Sequence, residues 1–224
     1  MTGVFQPPKG VFFLFSWIRH SGLLILAAGL CMGGWACTGP PERTENICDI
    51  FRERPEWYDE ARESYGKWGV SIPLMMAIMH KESKFHADAK PPRTTCLWIF
   101  PGPRLSSAYG YAQALDMTWE EYQDLTDSQG ADRDEFKDAI DFIGWYCHMN
   151  FIRCRIPKND AYSLYLAYHE GPTGFKQGTH RKKPGIIKAA RWVQWQTAEY
   201  EQQLRGCEEE FLRPGGWWRC LWPF

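Results

Sequence analysis

The stretch Ile72-Pro-Leu-Met-Met-Ala-Ile-Met-His-Lys-Glu82-Ser83-Lys-Phe85 decides how the rest of the chain is read. Ser71 supplies an N-cap and Pro73 is tolerated in a first helical turn, so a helix is predicted from there to about Lys84. Met75, Ile78 and Met79 lie seven, four and three residues before Glu82, which puts the carboxylate on their apolar face. A carboxylate turned toward a core without a partner is costly, and the usual response is a raised pKa that keeps the acid protonated near neutral pH. A general acid needs that state. The alternative is that Glu82 sits at the helix end, meets water or pairs with Lys81 or Arg93, and does nothing chemical; position alone leaves both open.

From Glu45 onward the periodicity is helical, with neither sustained period-two alternation nor an internal repeat, so a mainly α domain is predicted. Trp57, Ala61, Tyr65 and Trp68 fall on one stripe of a helix that Pro55 opens and Gly69 closes. Pro91, Pro92, Pro101, Gly102 and Pro103 then break the pattern, and a long Pro/Gly-rich loop insertion with little regular structure is predicted from about Ala87 to Ser107. Thr118-Trp-Glu-Glu121 has the form of a capping box opening another helix, and Phe136, Ile140, Ile143 and Cys147 mark the buried stripe of a later one. Asp160 caps a helix from Ala161 to His169 that Gly171 and Pro172 end, with a Gly- and Lys-rich loop beyond. Ile186, Ala190, Val193, Thr197, Tyr200 and Leu204 form one face of a long terminal helix. The organisation expected is a signal or anchor segment over 1–36, a linker and first helix over 37–54, a catalytic domain over 55–206, and an aromatic tail over 207–224.

A chain of 224 residues carries one substantial core, and a formal charge of −1 gives no general field to gather nucleic acid or acidic lipid. The 12 Trp, 10 Tyr and 13 Phe are enough to fill that core and leave rings to stack on sugar faces, with the core taking most. Arg19 and His20 precede an apolar run from Leu23 to Leu30, and Gly34-Trp-Ala36 has the small-x-small pattern of a cleavage site, which argues for export. Cleavage after Ala36 leaves Cys37 first, where bacterial lipoproteins carry lipid, although Gly34 and Trp35 depart from the usual lipoprotein signal. Simple cleavage and an uncleaved anchor drawing on Val11 to Ile18 are the alternatives. In an oxidising compartment Cys48, Cys96, Cys147, Cys154, Cys207 and Cys220 read as disulfide partners; Cys48 and Cys207 flank the expected catalytic domain and Cys147 and Cys154 bracket the turn after a helix, which makes these the first pairs to consider. No Cys-x-x-Cys occurs, and His80 and His86 sit on different helix faces, so neither a metal nor another cofactor is predicted.

Three short segments settle what Glu82 alone does not. Glu82-Ser83 at a helix end, Gly110-Tyr-Ala-Gln113 after a loop, and Ala167-Tyr-His-Glu-Gly171 at the end of a later helix resemble, in that order, the motifs of the soluble lytic transglycosylase (SLT) family. Those motifs usually read Glu-Ser, Gly-Leu-Met-Gln and Ala-Tyr-Asn-x-Gly, and the resemblance extends over roughly Trp57 to Ala198. It implies a goose-lysozyme-like helical fold, a monomer, and peptidoglycan glycan strands as partner, cut without water between N-acetylmuramic acid and N-acetylglucosamine in the periplasm. In such enzymes one Glu protonates the leaving oxygen and then, as carboxylate, takes the proton of the muramic acid C6 hydroxyl, which closes a 1,6-anhydro ring.

Carried over residue by residue, the resemblance makes Glu82 the acid/base. Ser83 bonds near it or caps the helix end. Gly110 allows close backbone approach and Gln113 bonds sugar amide or hydroxyl groups, the alternative being a plain glycine turn with a solvated Gln. Tyr168 projects its hydroxyl toward Glu82 or is an ordinary core tyrosine, and His169 stands where Asn is usual. Tyr111-Ala112 replaces Leu-Met, and the insertion after Glu82 carries Trp98, Phe100 and Tyr109, which either stack on glycan or anchor the loop with Cys96. The segment Lys176 to Lys183 either meets acidic stem peptides or is merely solvated, and the Trp217–Phe224 tail packs back or meets a membrane interface. The rivals to a transglycosylase are a goose-type muramidase, which hydrolyses the same bond, and a non-catalytic glycan-binding envelope lipoprotein.

Overall fold

In the computed structural model, which describes residues 39–96 and 100–212, helix α3 (Ile72–Ser83) is buried without a break from Ile72 to His80. A helix apolar on all sides belongs at the centre of a bundle. It packs against α2 (Pro55–Trp68), α5 (Phe136–Cys154) and α7 (Pro184–Leu212). The expected apolar face is thereby corrected: it is the whole circumference, and the direction Glu82 takes is set by the neighbours it meets where the helix emerges. The boundaries are those predicted, although Ser71 occupies the N-cap position without a side-chain hydrogen bond. Lys84 and Phe85, both in the left-handed region, end the helix.

The remaining elements wrap this centre. α1 (Ile47–Glu53) is capped by Asn46, whose side chain accepts from the amides of Cys48 and Asp49. α4 (Asp116–Thr126) lies on α5, and α6 (Ala161–Gln177) packs against α5 and α7. The Trp57 ring stacks on Phe136 with centroids 4.0 Å apart, and Tyr111 meets both edge-on. The α5 stripe Phe136, Ile140, Ile143 and Cys147 is buried as expected, and so are Ala190, Val193, Tyr200 and Leu204 on α7. All described residues fall in one unit, Cys37–Phe224, and no helix among them is long and apolar enough to cross a membrane. The segment 1–36, Cys37, Trp98 and the residues after Leu212 lie outside the described residues.

Several local expectations give way. Tyr65 is half exposed, because the inward stripe of α2 runs through Trp57, Ala61 and Ser64, and the Ser64 hydroxyl donates to the Ile140 carbonyl. The insertion is not structureless: β1 (Arg93–Cys96) and β2 (Phe100–Arg104) form an antiparallel hairpin with an irregular register. Its prolines are tolerated because a two-stranded ribbon has only edge strands. α4 starts at Asp116, so Thr118 and Glu121 lie inside its first turns; Glu121 pairs with Arg153 at 2.6 Å instead of closing a capping box. Gly171 breaks α6 without ending it, since its φ of 72° and ψ of 163° interrupt the helix and Pro172 opens a further turn. A 3-10 turn, Thr179–Lys182, then occupies the expected loop.

Of the disulfides considered, Cys48–Cys207 is present and ties α1 to α7 across 159 residues. Cys147–Cys154 is not: both thiols are free. They do not bracket a turn but lie on the continuous helix α5. Seven residues of helix span about 10 Å, beyond the roughly 7 Å that a disulfide bridges between Cα atoms. The Cys96 side chain and Cys220 lie outside the description.

Because the bond closes most of the chain into one loop, its removal acts mainly on the unfolded state. Cys48→Ser/Cys207→Ser is expected to keep its helical circular dichroism and to lose about 2–5 kcal/mol of stability in denaturant titration. Under reducing conditions the wild-type protein should move toward the same midpoint.

Candidate active site

Glu82 follows the last buried turn of α3, between exposed Lys81 and buried Ser83. The Ser83 hydroxyl donates back to the Met79 carbonyl at 3.2 Å, so it serves its own helix. The Glu82 residue is half-buried but its Oε1 is sealed from solvent and has no hydrogen-bond partner. Burial pushes the pKa up to about 7, against the opposing pull of a hydrogen bond with Tyr165 and of the Lys81 charge. No second carboxylate acts on it among the described residues.

Tyr165 is the neighbour of Glu82 that the motifs did not name. It is buried on α6, and burial, with the Glu82 carboxyl beside it, holds its hydroxyl far up in the protonated, donating form. The signal that could have found it is spacing: it stands three residues before Tyr168, on the same side of the helix. Tyr168 itself does not direct its hydroxyl to the Glu82 carboxyl. It donates to the Ala112 carbonyl at 2.7 Å, although Glu82 is close enough to help burial push its pKa up. Tyr146 packs edge-on against Tyr168, with centroids 5.3 Å apart. Burial raises the Tyr146 pKa to about 12.

The Gly110-Tyr-Ala-Gln113 segment is a tight turn held from two sides. The Gly110 amide donates to Ala89 and the Tyr111 amide to Arg133. Gly110 has a φ of 76°, and a Cβ there would stand 2.0 Å from the Arg133 carbonyl oxygen, so the close approach this glycine permits is to the protein's own backbone. Gln113, at a φ of 49°, uses its Nε2 to donate to Ala89 at 2.8 Å and Gly110 at 2.9 Å, locking the turn. Tyr111 in place of the family's Leu is explained by the Trp57 and Phe136 rings it packs against. Tyr109 is not presented for stacking: its hydroxyl donates to Asp134, and Lys90 and Arg133 lie over its ring.

Thus Tyr165 sets α6 beside the acid, and Tyr168 ties α6 to the Gly110–Gln113 turn. His169, the residue next in chain, is exposed, with Nδ1 3.2 Å from Glu170 Oε1. His80 is buried against Phe85 and Trp192 with Nδ1 2.9 Å from the Tyr200 hydroxyl, and burial lowers its pKa.

The chain matches the family described as Transglycosylase SLT domain over residues 23–207. No curated protein matches it.

Between the ordinary carboxyl value of 4.5 and about 7, the folded protein retains a Glu82 proton that the unfolded chain releases. Stability therefore falls as pH rises through that window. Glu82→Gln removes this group's share of the dependence and leaves that of Glu60, which rises to the same value. Above pH 7 the variant is expected to exceed the wild type by about 1–3 kcal/mol, with the gap closing toward pH 4.5, in parallel denaturant titrations.

Proposed function

The chain belongs to the transglycosylase SLT domain family, and on that premise we propose that it cuts peptidoglycan glycan strands between N-acetylmuramic acid and N-acetylglucosamine without water, with Glu82 as its one acid and base. Membership points to a peptidoglycan-acting function of the lytic transglycosylase type. The observation that carries the finer proposal is the Glu82 carboxyl, desolvated and with an oxygen left unpaired where motif-bearing segments meet. An acid poised near 7 is protonated often enough to give its proton to the glycosidic oxygen and basic enough afterwards to take one back.

In the first step the Glu82 proton passes to the leaving oxygen as the C1–O bond breaks. In the second, the C6 hydroxyl of the same muramic acid forms the new bond to C1 and its proton returns to Glu82. Protons balance, and no water is consumed. Tyr165 acts as a positioning residue, since a hydroxyl donated to the carboxylate holds the group in place and steadies the charge it carries between the steps. A glycosidase with two carboxylates places them about 5 to 10 Å apart, where each feels the other's charge. The isolation of Glu82 from any other described carboxylate supports the single-acid route.

The sugar-binding roles follow from what each group has left to offer. The Gln113 Nε2 is taken, so its Oε1 accepts from an amide or hydroxyl of the substrate. Gly110 and Ser83 shape the wall through the backbone. Tyr168 holds the Ala112 turn against the acid, and His169 presents its exposed ring to the glycan. Action on peptidoglycan implies export, and the Arg19–Ala36 segment fits that, with Cys37 the point of membrane attachment if the chain is lipidated.

Digestion of purified sacculi, followed by mass spectrometry, tests the assignment. Wild type should release 1,6-anhydromuropeptides, at a rate that declines above pH 7 as the acid form of Glu82 is lost. Glu82→Gln should fold and bind sacculi yet turn over about 10²- to 10⁴-fold more slowly. Reducing-end muramic acid in the products would assign a goose-type hydrolase instead. Binding without turnover by the wild type would assign a glycan-binding protein, and undiminished turnover by the variant would remove Glu82 from the chemistry.

A further inference from the structure

Between Gly171 and Ala198 the chain carries six lysines and arginines and no acid, although its net charge is only −1. The first part of this segment is fastened down. The Glu170 side chain, 2 % exposed, accepts from Lys183 Nζ at 2.9 Å and from the Thr179 hydroxyl, and pairs with His169. Burial alone would raise the Glu170 pKa, but these hydrogen bonds outweigh it and hold the carboxyl down at about 2. The 3-10 turn is thereby pinned to α6, next to the Ala167–Gly171 motif. Arg181 and Lys182 stand exposed on the pinned turn.

The charge continues along α7. Lys188 and Arg191 are exposed and three residues apart, and Trp192 follows, half-buried. The Lys81 ammonium lies 5.4 Å from the centre of the Trp192 ring. Lys81 is the chain neighbour of Glu82, and its charge is felt at that carboxyl. A cationic strip therefore leads from the acid, over α7, to the turn fixed on α6. Arg181, Lys182, Lys188 and Arg191 have no acidic partner among the described residues. Soluble surfaces ordinarily intersperse the two signs, because like charges held close repel. Here no acid is interspersed, so the strip is open to an anionic ligand.

We infer that the strip is a binding site for the carboxylates of peptides carried by the glycan strand, so that peptide-bearing strands are preferred over bare ones. The inference rests on the cell-wall function proposed above. It commits to this occupant because the strip starts beside Glu82. A glycan strand held at Glu82 brings its own anions to that place, since stem peptides branch from muramic acid and end in carboxylates. Guanidinium and ammonium groups are their natural counter-charges. An anionic membrane surface is the competing occupant.

The test compares kcat/KM on glycan strands of equal length with peptides intact and with peptides removed by an amidase. Wild type should prefer the peptide-bearing strands by roughly three- to tenfold, the size expected of a few exposed charge pairs. Arg181→Gln/Lys182→Gln/Lys188→Gln, checked for native circular dichroism, should bring the ratio close to one, and high salt should do the same to the wild type. Equal or better cleavage of stripped strands by the wild type, or a preference that the triple variant keeps, overturns the inference. Capture on phosphatidylglycerol vesicles that the variant loses, without any strand preference, overturns it in favour of a membrane. If the wild type cuts neither strand, the proposed function has failed, and co-sedimentation of Glu82→Gln with intact against stripped sacculi reads the same ratio independently of turnover.

Discussion

A carboxyl group removed from water without full hydrogen-bond compensation is the constraint around which this protein is built. Left to itself, Glu82 would swing to solvent, since an unpaired buried oxygen costs free energy that one side-chain rotation could recover. It is held because α3 is packed on every side up to His80, leaving the next turn little freedom, and because Ser83 and Lys84 fix the helix end. The stability of the central helix thus offsets a local penalty at its tip. That is the usual relation between a rigid scaffold and a strained functional group.

Distant parts of the chain contribute to the same end. Tyr168 couples α6 to the Ala112 carbonyl, and the Gly110–Gln113 turn is bonded in turn to Ala89 and Arg133. Displacing any one of these segments moves the wall against which Glu82 is desolvated. The Cys48–Cys207 bond works on a larger scale. It fastens α1 to the end of α7, the helix that covers α3, and lowers the entropy of the chain before folding begins. Acid and scaffold are therefore one problem in packing.

Helical character, most helix positions and the site's motifs were legible in the sequence because each depends on local spacing. Pro55 and Gly69 bracket α2, Asp160 caps α6 through the Ser163 amide, and Phe136 to Cys147 keep a helical period. What was illegible depends on partners far along the chain. Periodicity placed Met75, Ile78 and Met79 beside Glu82 but could not show that α3 is enclosed all round. Tyr168 seemed to aim at the acid, whereas its hydroxyl is claimed by Ala112, 56 residues earlier, and Tyr165 is the tyrosine that lowers the acid's pKa. Cys147 and Cys154 looked like a pair across a turn only until the helix was seen to run through both. The hairpin at Arg93–Arg104 was hidden by prolines, which signal irregularity in an α chain and are also compatible with an edge strand.

Three perturbed carboxyls show why the proposed acid is chosen by its surroundings and not by its pKa alone. Glu82 and Glu60 both rise to about 7, while Glu170 falls to about 2. Glu60 owes its rise to burial first and then to the repulsion of Glu56, Glu135 and Asp138, and it stands in none of the three motifs. Glu170 stands within the third motif and its side chain is as covered as any, yet Thr179, Lys183 and His169 meet its oxygens. It stays ionised across the working range and has no proton to give, so its use is to hold the turn that carries the cations. Of these three, Glu82 alone combines desolvation, an adjoining tyrosine and a place where the motif segments converge. The difference between the two motif glutamates is the number of donors that reach each carboxyl, and it is what suits Glu82 to the proposed chemistry and Glu170 to holding the turn.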